Sequence, residues 1–115
     1  MKKTKIYDIS RLQNAIGNNK SYLAEIIGLF INQVPEGISK IEKAIVNKNW
    51  EAMHHEVHRM KSTFALFGMN EQREQLIQME VHISKKNNLK EITNLINKVS
   101  EKVNFAIEGL KKEKL

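Results

Sequence analysis

The 115-residue sequence predicts an all-α fold: an antiparallel four-helix bundle with a short extra helix at its N-terminal end. Three observations predict it. Apolar residues recur at spacings of three and four along four long stretches, the period of a helix face and not of a strand. The stretches are separated by short Asn- and Gly-containing breaks (Gly17-Asn18-Asn19, Asn47-Lys48-Asn49, Gly68, Asn87-Asn88), and short connections make neighbouring helices antiparallel. No strand pattern, internal repeat or low-complexity run competes, so residues 1–115 are read as a single domain. A chain of this length buries roughly two thirds of its unfolded surface, enough for one small core.

The short helix is expected between Ile6 and about Ile16, capped by Asp8 or Ser10, with Leu12, Ala15 and Ile16 packing it onto the body. The first long helix begins near Asn19 or Ser21. Its stripe is Leu23, Ile27, Phe30, Val34, Ile38, Ile41 and Ile45. Pro35 interrupts it. Proline lacks a backbone donor and clashes with the preceding turn, so a kink or break is expected, with Pro35 in the first turn of the continuation. The next helix runs from about Trp50 to Phe67, with Trp50, Met53, Val57, Met60, Phe64 and Phe67 on one stripe. Gly68 ends it, because glycine takes positive φ at little cost. The following helix is expected to start with Asn70 as cap and Glu71 and Glu74 as dipole complement. Its apolar set is sparser: Met69, Leu76, Met79 and Ile83. The last helix carries Leu89, Ile92, Ile96, Val99, Val103, Ala106 and Leu110, then a basic tail of Lys111, Lys112 and Lys114.

Composition narrows the classes of function. Nineteen basic residues against thirteen acidic ones leave a net charge of +6, which favours an anionic partner. The basic residues are spread along the chain and the aromatics fall mostly at core positions, so nucleic acid is not the expected partner. There is no cysteine, hence no disulfide and no thiolate metal site. The opening MKKTKIYDIS has no apolar run behind it and is not a signal peptide. No stretch approaches the length needed to cross a bilayer. A cytoplasmic monomer without membrane contact is the expectation. No Gly-rich phosphate loop occurs, so no nucleotide or other small-molecule substrate is expected.

The chemistry concentrates in His54–Gly68. His58 follows the stripe residue Val57, so it lies at the edge of the apolar face and should be partly exposed. Lys61 and Ser62, at i+3 and i+4, are its neighbours on the helix surface. An ammonium beside an imidazole, with a small hydroxyl residue one turn on, suits a histidine that accepts and releases an anion. Arg59 lies on or beside the same face. Gln75, Gln78 and Glu80 on the next helix are candidates to hold the second ring nitrogen. His54, one turn before His58, is a neighbour on the same face, and a polar surface residue is its simpler account.

A metal reading fails on pattern. His54 and His58 have the i, i+4 spacing of helical ligands, but a metalloprotease motif needs Glu where His55 stands. Carboxylate bundle sites need Glu-x-x-His on two helices. Glu51-x-x-His54 supplies one, and Met79-x-x-His82 lacks the carboxylate. No metal or other cofactor is expected.

The pattern His58-x-x-Lys61-Ser62, with Gly68 ten residues after the histidine, resembles the signature of histidine-containing phosphotransfer (HPt) domains. The likeness extends to Tyr7-Asp8-Ile9-Ser10-x-Leu12, to Leu29-Phe30 followed by Pro35, to Trp50 and to Met79-Glu80, and so covers nearly the whole chain. It implies a phosphorelay intermediate in two-component signalling. His58 would take the phosphoryl group on Nε2, Lys61 would help hold it, and Ser62 would stand where the family usually has Gly. It also favours Glu80 over Gln78 as the group that orients the ring through Nδ1. Implied partners are response-regulator receiver domains and a hybrid histidine kinase, with any magnesium ion in the receiver. Such a chain is a phosphoprotein carrier and not an enzyme, and its Met1 start and short tail favour a free-standing protein. One departure stands out: Gln72 occupies a place where the family usually has an apolar residue, which implies a thinner contact or a polar surface near the site. The competing reading is a non-catalytic basic helical module that binds an acidic protein or nucleic acid.

Overall fold

The computed structural model describes residues 6–17 and 19–113, and within them every regular element is a helix. They are Ser10–Ile16 (α1), Lys20–Val46 (α2), Trp50–Leu66 (α3), Asn70–Ser84 (α4) and Leu89–Lys111 (α5). Helices α2 to α5 pack each on the next, and α5 returns to α2, which closes a four-helix bundle. Helix α1 lies against α2. The core is the sum of the predicted stripes: Leu23, Ile27, Phe30, Val34, Ile38 and Ile41 face Met53, Val57, Met60 and Phe64, with Leu76, Met79, Ile83, Ile92, Ile96, Val99 and Val103 opposite. Among the described residues no helix is long and apolar enough to cross a membrane.

The expected break at Pro35 is absent: α2 is one helix of 27 residues with Pro35 inside it. An interior proline costs about 3 kcal/mol. Burial of a large apolar side chain contributes roughly 1.5–3 kcal/mol, and Phe30, Val34 and Ile38, on either side of the proline, are all buried. Packing therefore outweighs the lost backbone bond. Capping also departs from expectation in places. Helix α1 has Ile9 at its N-cap position, without a side-chain cap. Asp8 serves from one residue earlier, its Oδ1 accepting from the Ser10 backbone N–H at 2.9 Å. Ala15 is exposed, so Leu12 and Ile16 alone pack α1 down. Asn70 is the first residue of α4 and not its cap, which is Met69. Gln72 is buried, not part of a polar surface. The asparagines at the other turns do cap: Asn19, Asn49 and Asn88 accept from the backbone N–H groups of Tyr22, Ala52 and Glu91. Asn18 and Lys114 lie outside the described residues.

Two glycines seat the segment that precedes α1. Gly68 has φ +67°, and a Cβ there would stand 2.8 Å from Asp8 Cβ and 2.9 Å from the Asp8 carbonyl oxygen. The Asp8 N–H donates to the Phe67 carbonyl at 2.8 Å, so the segment closes the C-terminal end of α3. At the other side, a Cβ on Gly109 would stand 2.8 Å from the Tyr7 ring. The Tyr7 hydroxyl donates to Glu113, and burial first, then that bond and the charge of Glu113, push its pKa well above the ordinary tyrosine value. Gly68→Ala is expected to cost roughly 2–3 kcal/mol, from left-handed strain and overlap with Asp8. Urea unfolding checks this: the midpoint should fall with the slope unchanged. An unchanged midpoint would mean that the segment is not held against Gly68.

Candidate functional site

The site is built on the outer face of α3. Val57 and Met60 are buried in the core and hold the helix rotation, so His58 between them points outward, with 67% of its side chain exposed. Glu80 reaches it from α4. That side chain is only 18% exposed, and its Oε2 lies 3.4 Å from His58 Nδ1. The other oxygen, Oε1, lies 2.6 Å from Lys61 Nζ, whose side chain is 22% exposed. One carboxylate thus gathers the imidazole and the ammonium that stand three residues apart on α3. Met79, buried beside Glu80, fixes the register of α4 that makes this meeting possible.

The electrostatics follow from the pairing. Burial by itself would raise the Glu80 carboxyl. The hydrogen bond and charge of Lys61, with those of His58, outweigh it and hold the pKa below the usual carboxylate value. An ionised carboxylate only accepts hydrogen bonds, so Nδ1, the ring nitrogen that faces it, is the one placed to donate. Nε2 is the ring nitrogen that Glu80 leaves unengaged. The 3.4 Å contact is long for an N–H···O bond, as such contacts often are before a partner binds.

The other candidates are placed as follows. Ser62 is exposed one turn beyond His58. Gln78 is exposed, and Gln75 Oε1 is buried without a hydrogen-bond partner, so the carboxylate and neither amide faces the imidazole. Arg59 is exposed and lies 3.9 Å from Glu56, on the α2 side of the face. Gly68 closes α3 in the left-handed conformation. The His54 ring lies beside that of His58, with centroids 5.7 Å apart and planes 19° from parallel. Among the described residues no three His, Cys, Asp or Glu side chains gather to hold a metal ion.

Two features were not read from the sequence. Arg11 Nη1 donates to the Ala65 carbonyl at 3.4 Å, which brings a cation from α1 to the C-terminal end of the face. A groove of about 210 Å³ runs between α2 and α3, lined by Ile26, Leu29, Gln33, Arg59, Thr63 and Leu66 among others. Leu29 is 48% exposed. The signal for the groove was present, since Tyr22, Ile26 and Leu29 form a second apolar row beside Leu23, Ile27 and Phe30. The contact of Arg11 carries no local signal.

The chain is thus a closed helical bundle that presents an exposed histidine backed by a carboxylate. The Hpt domain family model matches residues 25–104, more than half of the chain. This chain belongs to the Hpt domain family, whose members carry out histidine phosphotransfer in two-component relays and are carriers rather than enzymes with turnover of their own. Comparison with curated proteins and with solved structures gave no significant match.

Proposed function

We propose that this chain is a phosphorelay intermediate that accepts a phosphoryl group on His58 Nε2 from the aspartyl phosphate of one receiver domain and passes it to the aspartate of another. The observation that supports this reading is the Glu80 carboxylate 3.4 Å from Nδ1 of a side chain that is 67% exposed: a proton held on Nδ1 would leave the Nε2 lone pair for the phosphoryl group. In the forward step the Nε2 lone pair forms the N–P bond while the P–O bond to the receiver's aspartate breaks, and that electron pair leaves with the carboxylate. The ring keeps its Nδ1 proton and becomes cationic. Glu80, ionised and close by, stabilises that charge. Lys61 holds Glu80 in place and keeps it ionised. Phosphoryl transfer asks the protein mainly for positioning and charge stabilisation, and these groups supply both. The carrier needs no cofactor of its own; the magnesium ion belongs to the receiver's aspartate pocket.

The α2–α3 groove beside Arg59 is the docking surface in this reading. It offers exposed apolar area at Leu29 and Leu66, with the Arg59 cation, the residue after His58, in its lining. Leu29→Lys is expected to weaken receiver binding about tenfold, as loss of an apolar anchor does, with the fold unchanged by circular dichroism. Titration calorimetry against a receiver measures it, and equal affinity would move the docking surface elsewhere. The decisive experiment is incubation with a phosphorylated receiver domain. The expected result is an acid-labile, base-stable label on this chain. Salt-sensitive nucleic-acid binding that is indifferent to His58→Gln would favour the basic-module reading instead.

A further inference from the structure

His54 stacks beside the His58 ring and has no part in the proposed transfer step. Lys61, the expected partner of a phosphoryl group, is engaged by Glu80 at 2.6 Å. Side chains on a helix lean toward its N-terminus, over the turn that precedes them. The His58 ring therefore leans toward His54, and the two rings stand nearly parallel with centroids 5.7 Å apart. Both are exposed, and with His55, Arg59, Glu51, Asn49 and Ala52 they line one open concavity. Glu80 occupies the Nδ1 side of His58.

We infer that His54 is a positioning residue for the phosphorylated state, its ring N–H hydrogen-bonding an oxygen of the phosphoryl group on His58 Nε2. This rests on the proposal that His58 is the acceptor. A phosphoryl group on Nε2 brings two negative charges and three acceptor oxygens to the exposed side of the ring. Neutral imidazole has one N–H donor, and the imidazolium has two and a charge. The contact therefore tightens when His54 is protonated, and imidazoles as a class change charge between about pH 5 and 8. The titratable and charged residues around His54 are Glu51, His55, His58 and Arg59 on α3, Lys48 in the α2–α3 connection and Lys86 after α4.

The test uses the full chain, phosphorylated by a phosphorylated receiver, as wild type, His54→Ala and His54→Gln, with His58→Gln as control. Two quantities are read from pH 5.5 to 8.5: the lifetime of the phosphohistidine and its phosphorus-31 chemical shift. In the wild type the shift should show a titration step that both His54 variants lack. The lifetime should fall roughly three- to tenfold in His54→Ala at the acid end, the worth of one partly exposed charge-assisted hydrogen bond. His54→Gln keeps an amide donor and should recover part of the lifetime without the titration step. A phosphohistidine at position 58 whose lifetime and shift are the same in all His54 forms would overturn the inference and leave the carrier proposal intact. A label that survives His58→Gln, or no label on the wild type, would remove both.

Discussion

His58→Gln is expected to abolish the acid-labile label entirely, while the variant keeps the helix content and receiver affinity of the wild type. Glutamine preserves length and polarity, and the side chain is two-thirds exposed, so the core loses nothing. What disappears is the nucleophile. An amide nitrogen has its lone pair delocalised into the carbonyl and forms no stable N–P bond. Neighbouring histidines are not expected to substitute. His54 and His55 lie on the same helix face, but Glu80 meets the ring at position 58. Mass spectrometry of the labelled wild type and receiver-to-chain transfer in the variant measure this together. Label persisting in the variant would place the acceptor at His54, His55 or His82 and would leave Glu80 and Lys61 as an ion pair with a structural role only. The expected loss exceeds a thousandfold, because no residual route to a phosphoramidate exists at that position.

Glu80 is expected to give the next largest effect. Glu80→Ala should slow transfer by about ten- to a hundredfold, the usual range for a group that orients a functional histidine through its second nitrogen. Glu80→Gln keeps the shape and one acceptor oxygen but not the charge, so it should fall between that variant and the wild type. Receiver affinity should change little in either, since the carboxylate is mostly buried between α3 and α4. Rapid-quench measurement of single-turnover transfer separates the two quantities. Equal rates in all three forms would exclude Glu80 from the chemistry.

The same residue makes a stability prediction with a defined sign. The folded-state pKa of Glu80 lies below its unfolded value. The unfolded chain therefore binds the proton more readily, and the pair contributes stability above the unfolded carboxyl pKa, near about 4.3. That contribution is lost as pH falls through the folded value. Wild type should accordingly be more stable than Glu80→Gln at pH 7, and the gap should narrow below about pH 4. Urea midpoints at the two pH values check it. A gap that widens on acidification would contradict the pairing with Lys61 and His58.

Much of the fold was legible in the sequence because the burial of one face is periodic. The stripe from Leu23 to Ile41, that from Met53 to Phe67 and that from Ile92 to Leu110 appear in the core nearly residue for residue. The asparagine caps and the left-handed Gly68 were legible for a similar reason, since they satisfy or release a local backbone constraint. The break expected at Pro35 is absent because the proline's cost is local and visible, whereas the packing of Phe30, Val34 and Ile38 that outweighs it is tertiary. Asn70 was misread by a single position, since Met69 stands where the cap belongs. Of the two expectations for Gln72, a thinner contact or a polar surface, the second is excluded, because its place on α4 buries it.

The site divides along the same line. By itself the sequence determined that His58, Lys61 and Ser62 share one outward face of a helix, because helical periodicity fixes i, i+3 and i+4 relations without any knowledge of neighbours. It narrowed the ring's partner to three residues of the next helix. Only the tertiary structure decided that Glu80 faces His58 Nδ1 and that Lys61 binds the same carboxylate instead of standing free. The placement of Arg11 at the Ala65 carbonyl and of the α2 residues beside Arg59 was decided there too. Those meetings depend on the relative register and rotation of separate helices. That register is set by how the buried side chains of all four interdigitate, a property of the whole core that no single stretch of sequence contains.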